Sequence, residues 1–104
     1  MSSEKLVEFL VNISFVGPVG WPKADVDALV AKERAHAAEL AKQGYLVRMW
    51  RVPARRENWG LWRARDATHL HEIITGLPFW PYMQLTVHPL AAHPVDPLKF
   101  GHGS

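Results

Sequence analysis

Hydrophobic and polar positions alternate from residue 7 to residue 16, interrupted only by Leu10 and Val16. Val7, Phe9, Val11, Ile13 and Phe15 point one way, and Glu8, Asn12 and Ser14 point the other. A period of two places successive side chains on opposite faces of an extended chain, so this stretch predicts a strand with one apolar face. The cluster Gly17, Pro18, Gly20 and Pro22 breaks it. A helix is predicted to start in the region of Asp25 and to stop at Gly44, after Lys42. The segments YLVRMWRV (45–52) and NWGLWRA (58–64) are rich in aromatic and β-branched residues and predict strands two and three, with PARRE between them as a hairpin connection. Asp66 is placed to cap a short helix, ATHLHEIITG, whose Leu70, Ile73, Ile74 and Leu77 form one face before Gly76 and Pro78 end it. In YMQLTVHPL, Met83, Leu85 and Val87 alternate with Gln84, Thr86 and His88, predicting a fourth strand.

The order βαββαβ predicts a ferredoxin-like α+β fold: an antiparallel four-stranded sheet with both helices on one face. The other face then needs cover. Trp50, Trp59, Trp62 and their neighbours are more apolar surface than a small monomer leaves in water, which predicts a homodimer packed sheet to sheet. The whole chain, 1–104, reads as a single domain with its core over about residues 7–90. The tail 91–104, with Pro94, Pro97, Gly101 and Gly103, is expected to be irregular and either to lie along a neighbouring subunit or to be partly disordered.

The first helix carries the most informative departure from pattern. Val26, Leu29, Val30, Ala37 and Leu40 form an apolar stripe, and Glu33 falls at its centre. At about 100° per residue, Val26 and Leu40 lie about 20° from Glu33, and Leu29 and Ala37 about 40°, whereas Lys32 and Arg34 lie about 100° away and reach water. An ionised carboxylate is rarely buried unless paired, and desolvation raises its pKa toward the range of a general base or acid at neutral pH. Two readings stay open: Glu33 does proton-transfer chemistry, or it forms a structural ion pair with an arginine from the sheet. His36, about 60° round the helix, either shares the same pocket or makes a plain polar contact at the stripe edge. His69 and His71, two residues apart on a helix, point about 160° apart and cannot jointly grip a metal.

Composition narrows the chemistry. The chain has 104 residues, 48% of them hydrophobic and 21% charged, which is globular composition. No run approaches the roughly 18 consecutive apolar residues of a membrane span, so no membrane partner is expected. There is no cysteine, which removes disulfides, thiolate nucleophiles and cysteine metal sites. No glycine-rich phosphate loop, G-x-S-x-G elbow or zinc signature is visible, leaving chemistry with neither metal nor cofactor. Net charge is only +2, and five of the arginines crowd into 51–65, namely Arg51, Arg55, Arg56, Arg63 and Arg65. Nucleic-acid binding asks for a larger excess and a displayed aromatic module, so a solvated face or an anion site is the better fit. The start, MSSEKLVEF, lacks the basic and apolar regions of a secretory signal, so a cytoplasmic location is expected. The tryptophans and Tyr82 are assigned mainly to core or interface, with one or two lining a flat-substrate pocket.

Taken in order, Glu33, Gly44, Trp50-Arg51, Asn58, Leu70-His71, Leu77-Pro78, Pro81-Tyr82-Met83, Val87, Leu90 and His93-Pro94 resemble the muconolactone isomerase family. The resemblance spans roughly residues 7–95, and its most specific part is L-P-F-W-P-Y-M followed by V-H-P-L-A-A-H-P. It implies a ferredoxin-like fold, a homodimer building up to a decamer, and isomerisation of a carboxymethyl-butenolide to 3-oxoadipate enol-lactone without metal or organic cofactor, in aromatic catabolism through β-ketoadipate. It further implies Glu33 as the proton carrier and Arg51, favoured over the opposite-facing Arg48, as the holder of the substrate carboxylate. Asn58, Tyr82 and His36 are the candidate donors. Two positions depart from the family: Trp62-Arg63-Ala64 stands where F-D-V is usual, and Leu29 and Val30 occupy the turn that usually holds a lysine. Trp62 is counted among the candidate substrate-binding residues. Two other functions compete with the isomerase: a cofactor-free monooxygenase of the same dimeric fold acting on a flat aromatic, and a non-catalytic ligand-binding or assembly module.

Overall fold

The computed structural model describes residues 5–100. Its elements are β1 (Val7–Phe15), α1 (Lys23–Lys42), β2 (Leu46–Arg51), β3 (Glu57–Ala64), α2 (Ala67–Thr75) and β4 (Met83–Leu90), with 3-10 turns at Trp80–Tyr82 and Pro97–Phe100. The sheet order is β2-β3-β1-β4 and every pairing is antiparallel. This is the βαββαβ, ferredoxin-like arrangement that the alternation of patterns predicts.

Register divides the sheet into two faces, because residues directly opposite one another across an antiparallel pair share a face. One face carries the rows Leu46–Trp62–Phe9–Pro89, Met49–Gly60–Val11–Val87 and Arg51–Asn58–Ile13–Leu85. Both helices pack here: Leu40 of α1 and Leu70 and Ile74 of α2 join Phe9, Val11, Ile13, Trp62, Ala64 and Leu77 in one buried core. Trp62 therefore belongs to the core, not to the opposite face where it was expected, and is only 1% exposed. The reason is parity. Trp59 and Trp62 are an odd number of positions apart on one strand, so they point to opposite sides.

The opposite face retains Trp50 and Trp59 and partly blunts them with its own charges. The Arg48 guanidinium sits 4.8 Å over the Trp50 ring, and Trp59 lies against His88 with ring centres 5.8 Å apart. Arg63 pairs with Glu8 at 3.0 Å on the same face, as does Asn12 with Glu57 at 2.9 Å.

Local chemistry sets the ends of the helices. α1 begins at Lys23, two residues before Asp25, because Pro22 with φ −57° is already compatible with the first helical turn. It ends before Gly44, whose φ of +90° is the left-handed conformation that glycine adopts without strain. α2 begins where Asp66 Oδ1 accepts the backbone N–H of His69 at 2.8 Å, as its capping position predicts. His69 itself is buried. Its Nδ1 accepts the Arg65 backbone N–H at 3.0 Å, so this histidine supports the helix start. Beyond β4, residues 91–98 are exposed. The end of the predicted irregular tail, 101–104, lies outside the described residues.

Candidate active site

α1 hides very little of itself. Leu40 is buried, Val26, Leu29, Val30, Glu33 and Ala37 are half-buried, and the helix is otherwise exposed. These six residues are the stripe that the 3.6-residue period marks out, with the carboxylate inside it. The stripe is shallower than the sequence suggests: Glu33 lies at the edge of the core, where solvent still reaches it.

Glu33 Oε1 accepts the backbone N–H of Phe79 at 3.0 Å. Burial pushes the Glu33 carboxyl above its ordinary value of 4.5, while the Phe79 amide and the neighbouring His36 charge pull it part of the way back. The ion pairs among the described residues are Lys23–Asp27, Arg55–Glu57 and Arg63–Glu8. The sequence left open an ion pair between Glu33 and an arginine of the sheet; the partner found is a peptide N–H. An amide dipole holds the carboxylate in position without neutralising it, so the oxygen keeps its capacity to take a proton.

The donor amide is fixed by its own packing. The Phe79 ring meets Phe15 edge-on at 5.4 Å and Tyr82 at 6.3 Å, and Tyr82 in turn meets Trp21 edge-on at 5.6 Å. The backbone is tied as well, since Val16 N–H donates to the Tyr82 carbonyl at 2.8 Å and Tyr82 N–H to the Phe79 carbonyl at 2.8 Å. The proline-aromatic run from Leu77 to Tyr82 is thus the strap that carries the donor to α1.

The remaining predicted residues lie in different parts of the fold. Arg51 and Asn58 are cross-strand partners on the helix-covered face, in one row with Ile13 and Leu85. Phe15, which holds Phe79, is the next residue on that face of β1 after Ile13. The Arg51–Asn58 row therefore lies one step from the strap that holds Glu33. Arg51 is exposed and forms no ion pair among the described residues. His36 is exposed and acts on Glu33 through its charge. Arg48, facing the other way, is engaged with Trp50. Sequence reading missed the Phe79 amide, because a backbone donor leaves no side-chain signature; the rigid string around it was the available signal.

The family model described as Muconolactone delta-isomerase matches residues 7–96. The chain belongs to the muconolactone delta-isomerase family. The Muconolactone Delta-isomerase of Cupriavidus pinatubonensis is 34% identical over 86 residues, covering 83% of this chain and 94% of that one. The Rhodococcus opacus Muconolactone Delta-isomerase is 36% identical over 70 residues, covering 67% and 75%. A crystal structure of muconolactone isomerase at 3.3 Å resolution superposes with a TM-score of 0.78 at 28% identity, covering 86% of this chain and 93% of that one. The stretch matched by the family model, residues 7–96, runs through both helices and all four strands and so includes Glu33, Arg51, Asn58, Trp62 and Tyr82.

Proposed function

We propose that this member of the family is a cofactor-independent isomerase that shifts the double bond of a carboxymethyl-butenolide, muconolactone or a substituted relative. The observation that carries the reading is Glu33: half-buried, raised in pKa, and held by an amide instead of a cation. In the reaction, the Glu33 carboxylate takes the ring proton vinylogous to the lactone carbonyl. The electron pair of that C–H bond moves into the ring as a dienolate. The protonated Glu33 then returns the proton at the carbon α to the carbonyl, giving the enol-lactone and regenerating the base. One residue serves as base and then acid, which suits a carboxyl whose pKa is raised toward neutrality.

Arg51 holds the carboxylate of the substrate, because its guanidinium is uncommitted among the described residues and lies on the site-facing side of the sheet. Asn58, Tyr82 and His36 serve as donors to substrate oxygens, and Trp62 is a further substrate-binding residue. The assembly is a homodimer that covers the Trp50–Trp59 face and builds toward a decamer, and the location is cytoplasmic. Conversion of muconolactone by the purified protein, abolished in Glu33→Gln, tests the reading. An unchanged lactone with the wild-type protein overturns it.

A further inference from the structure

Asn58, Gly60 and Trp62 occupy alternate positions of β3 and share its helix-covered face. Among the described residues, Asn58 Oδ1 and Trp62 Nε1 are the buried side-chain polar atoms with no hydrogen-bond partner. Such atoms are rare in folded proteins, since each gives up its bond to water for nothing, and an indole N–H inside a core is normally matched. Gly60 shows where the indole points. A Cβ at this position would lie 2.6 Å from Trp62 Nε1 and 2.8 Å from Met49 Sδ. The indole N–H therefore lies over the glycine, toward Asn58, and the thioether of Met49 lies over the same spot. Met49 is 43% exposed and has a flexible, unbranched side chain, so it is the cover that can move. Asn58 pairs with Arg51 across the sheet, and the row adjoins Phe15 and the strap that carries the Phe79 amide to Glu33.

We propose that the Trp62 indole N–H and the Asn58 amide anchor the lactone carbonyl oxygen, and that Met49 swings aside to admit it. The inference rests on the lactone-isomerase reading. An indole N–H only donates, so its partner is an acceptor oxygen. The Asn58 amide holds a buried oxygen without a partner and, by rotating about its last side-chain bond, turns its NH2 to the same site. Two donors then converge on the oxygen where negative charge gathers as Glu33 removes the ring proton. Arg51, in the same row, takes the carboxylate at the other end of the substrate.

The test uses full-length protein labelled with 15N. The chain has five tryptophans and so gives five indole N–H signals. The Trp62 signal, assigned through its own backbone, needs no variant, and titration with the enol-lactone product should shift it downfield. In parallel, Trp62→Phe, which keeps an aromatic ring and removes the donor, should lower kcat by about 10²-fold with a smaller change in KM. Asn58→Leu should act in the same direction. A Trp62 signal that stays in place at saturating product, or a folded Trp62→Phe enzyme with wild-type kcat, overturns the anchor while leaving the isomerase reading intact. A wild-type protein that leaves the lactone unchanged and whose Trp62 signal does not move overturns both. A shift without turnover keeps the oxygen anchor and removes the isomerase.

Discussion

Glu33 Oε1 accepts the backbone N–H of Phe79 at 3.0 Å across a separation of 46 positions in the chain. That bond ties the middle of α1 to the segment between α2 and β4. It also sets the character of the carboxylate, because a peptide N–H orients an anion without cancelling it, whereas a buried arginine would lock it into the ionised form.

Replacing Glu33 by Gln keeps an acceptor oxygen for the Phe79 amide and removes the proposed proton carrier. Isomerase activity should fall by about 10²- to 10⁴-fold, the usual contribution of a positioned general base. Stability should move the other way at neutral pH. The folded carboxyl lies above its ordinary value of 4.5, so the folded state holds the proton more tightly than the unfolded one. The contribution of Glu33 to stability is then fully present below about 4.5 and is lost as the pH rises through the folded pKa. Thermal melts should show Glu33→Gln more stable than wild type at pH 7, with the gap closing below about pH 4.5. A gap of opposite sign at pH 7 would mean that the Phe79 amide and the His36 charge outweigh the burial of the carboxylate.

Gly60 is required by a close approach, since its neighbours leave no room for a methyl group. Met49 can shift its sulfur, but Trp62 is 1% exposed and has nowhere to go. Gly60→Ala should therefore destabilise the fold by about 1–3 kcal/mol in urea unfolding, as overpacking of a filled core does. An unchanged midpoint would show that the indole is free to move.

Arg51→Met should raise KM about 10- to 100-fold with little change in kcat, the effect of removing a charged hydrogen bond to the substrate carboxylate. Because Arg51 is exposed and forms no ion pair among the described residues, stability should stay within about 0.5 kcal/mol of wild type. Steady-state kinetics beside a denaturant curve separates the two effects.

At the start of α2, Asp66→Ala removes the acceptor for the His69 amide at 2.8 Å. The expected loss is about 1 kcal/mol of unfolding free energy, and Asp66→Asn should recover most of it.

Much of the architecture was legible because it rests on local periodicity. The alternation of Val7 to Phe15 and the cap at Asp66 placed their elements within a residue or two of those observed. The stripe on α1 was equally legible, down to the six residues that the helix covers. Two features depended on the tertiary fold instead. Trp62 was assigned to the outer face along with Trp50 and Trp59; the odd spacing of Trp59 and Trp62 already puts these two on opposite faces, and the register of β3 against β1 settles which of them is inside. The partner of Glu33 was sought among arginine side chains, whereas it comes from the main chain of a segment remote in sequence, which no side-chain pattern encodes. Asn58 and Arg51, paired across two strands, could be named from the sequence but not placed in one row until the hairpin register was known.

The most direct test is to incubate the purified protein with muconolactone in D2O and follow the ring protons by NMR, wild type beside Glu33→Gln. The wild type should convert the lactone to the enol-lactone, with the hydrogen at the α carbon drawn partly from solvent after exchange on the protonated base, and Glu33→Gln should be slower by about 10²-fold or more. Lactone recovered unchanged from the wild-type protein, or converted at equal rates by both, would contradict a proton-carrying Glu33.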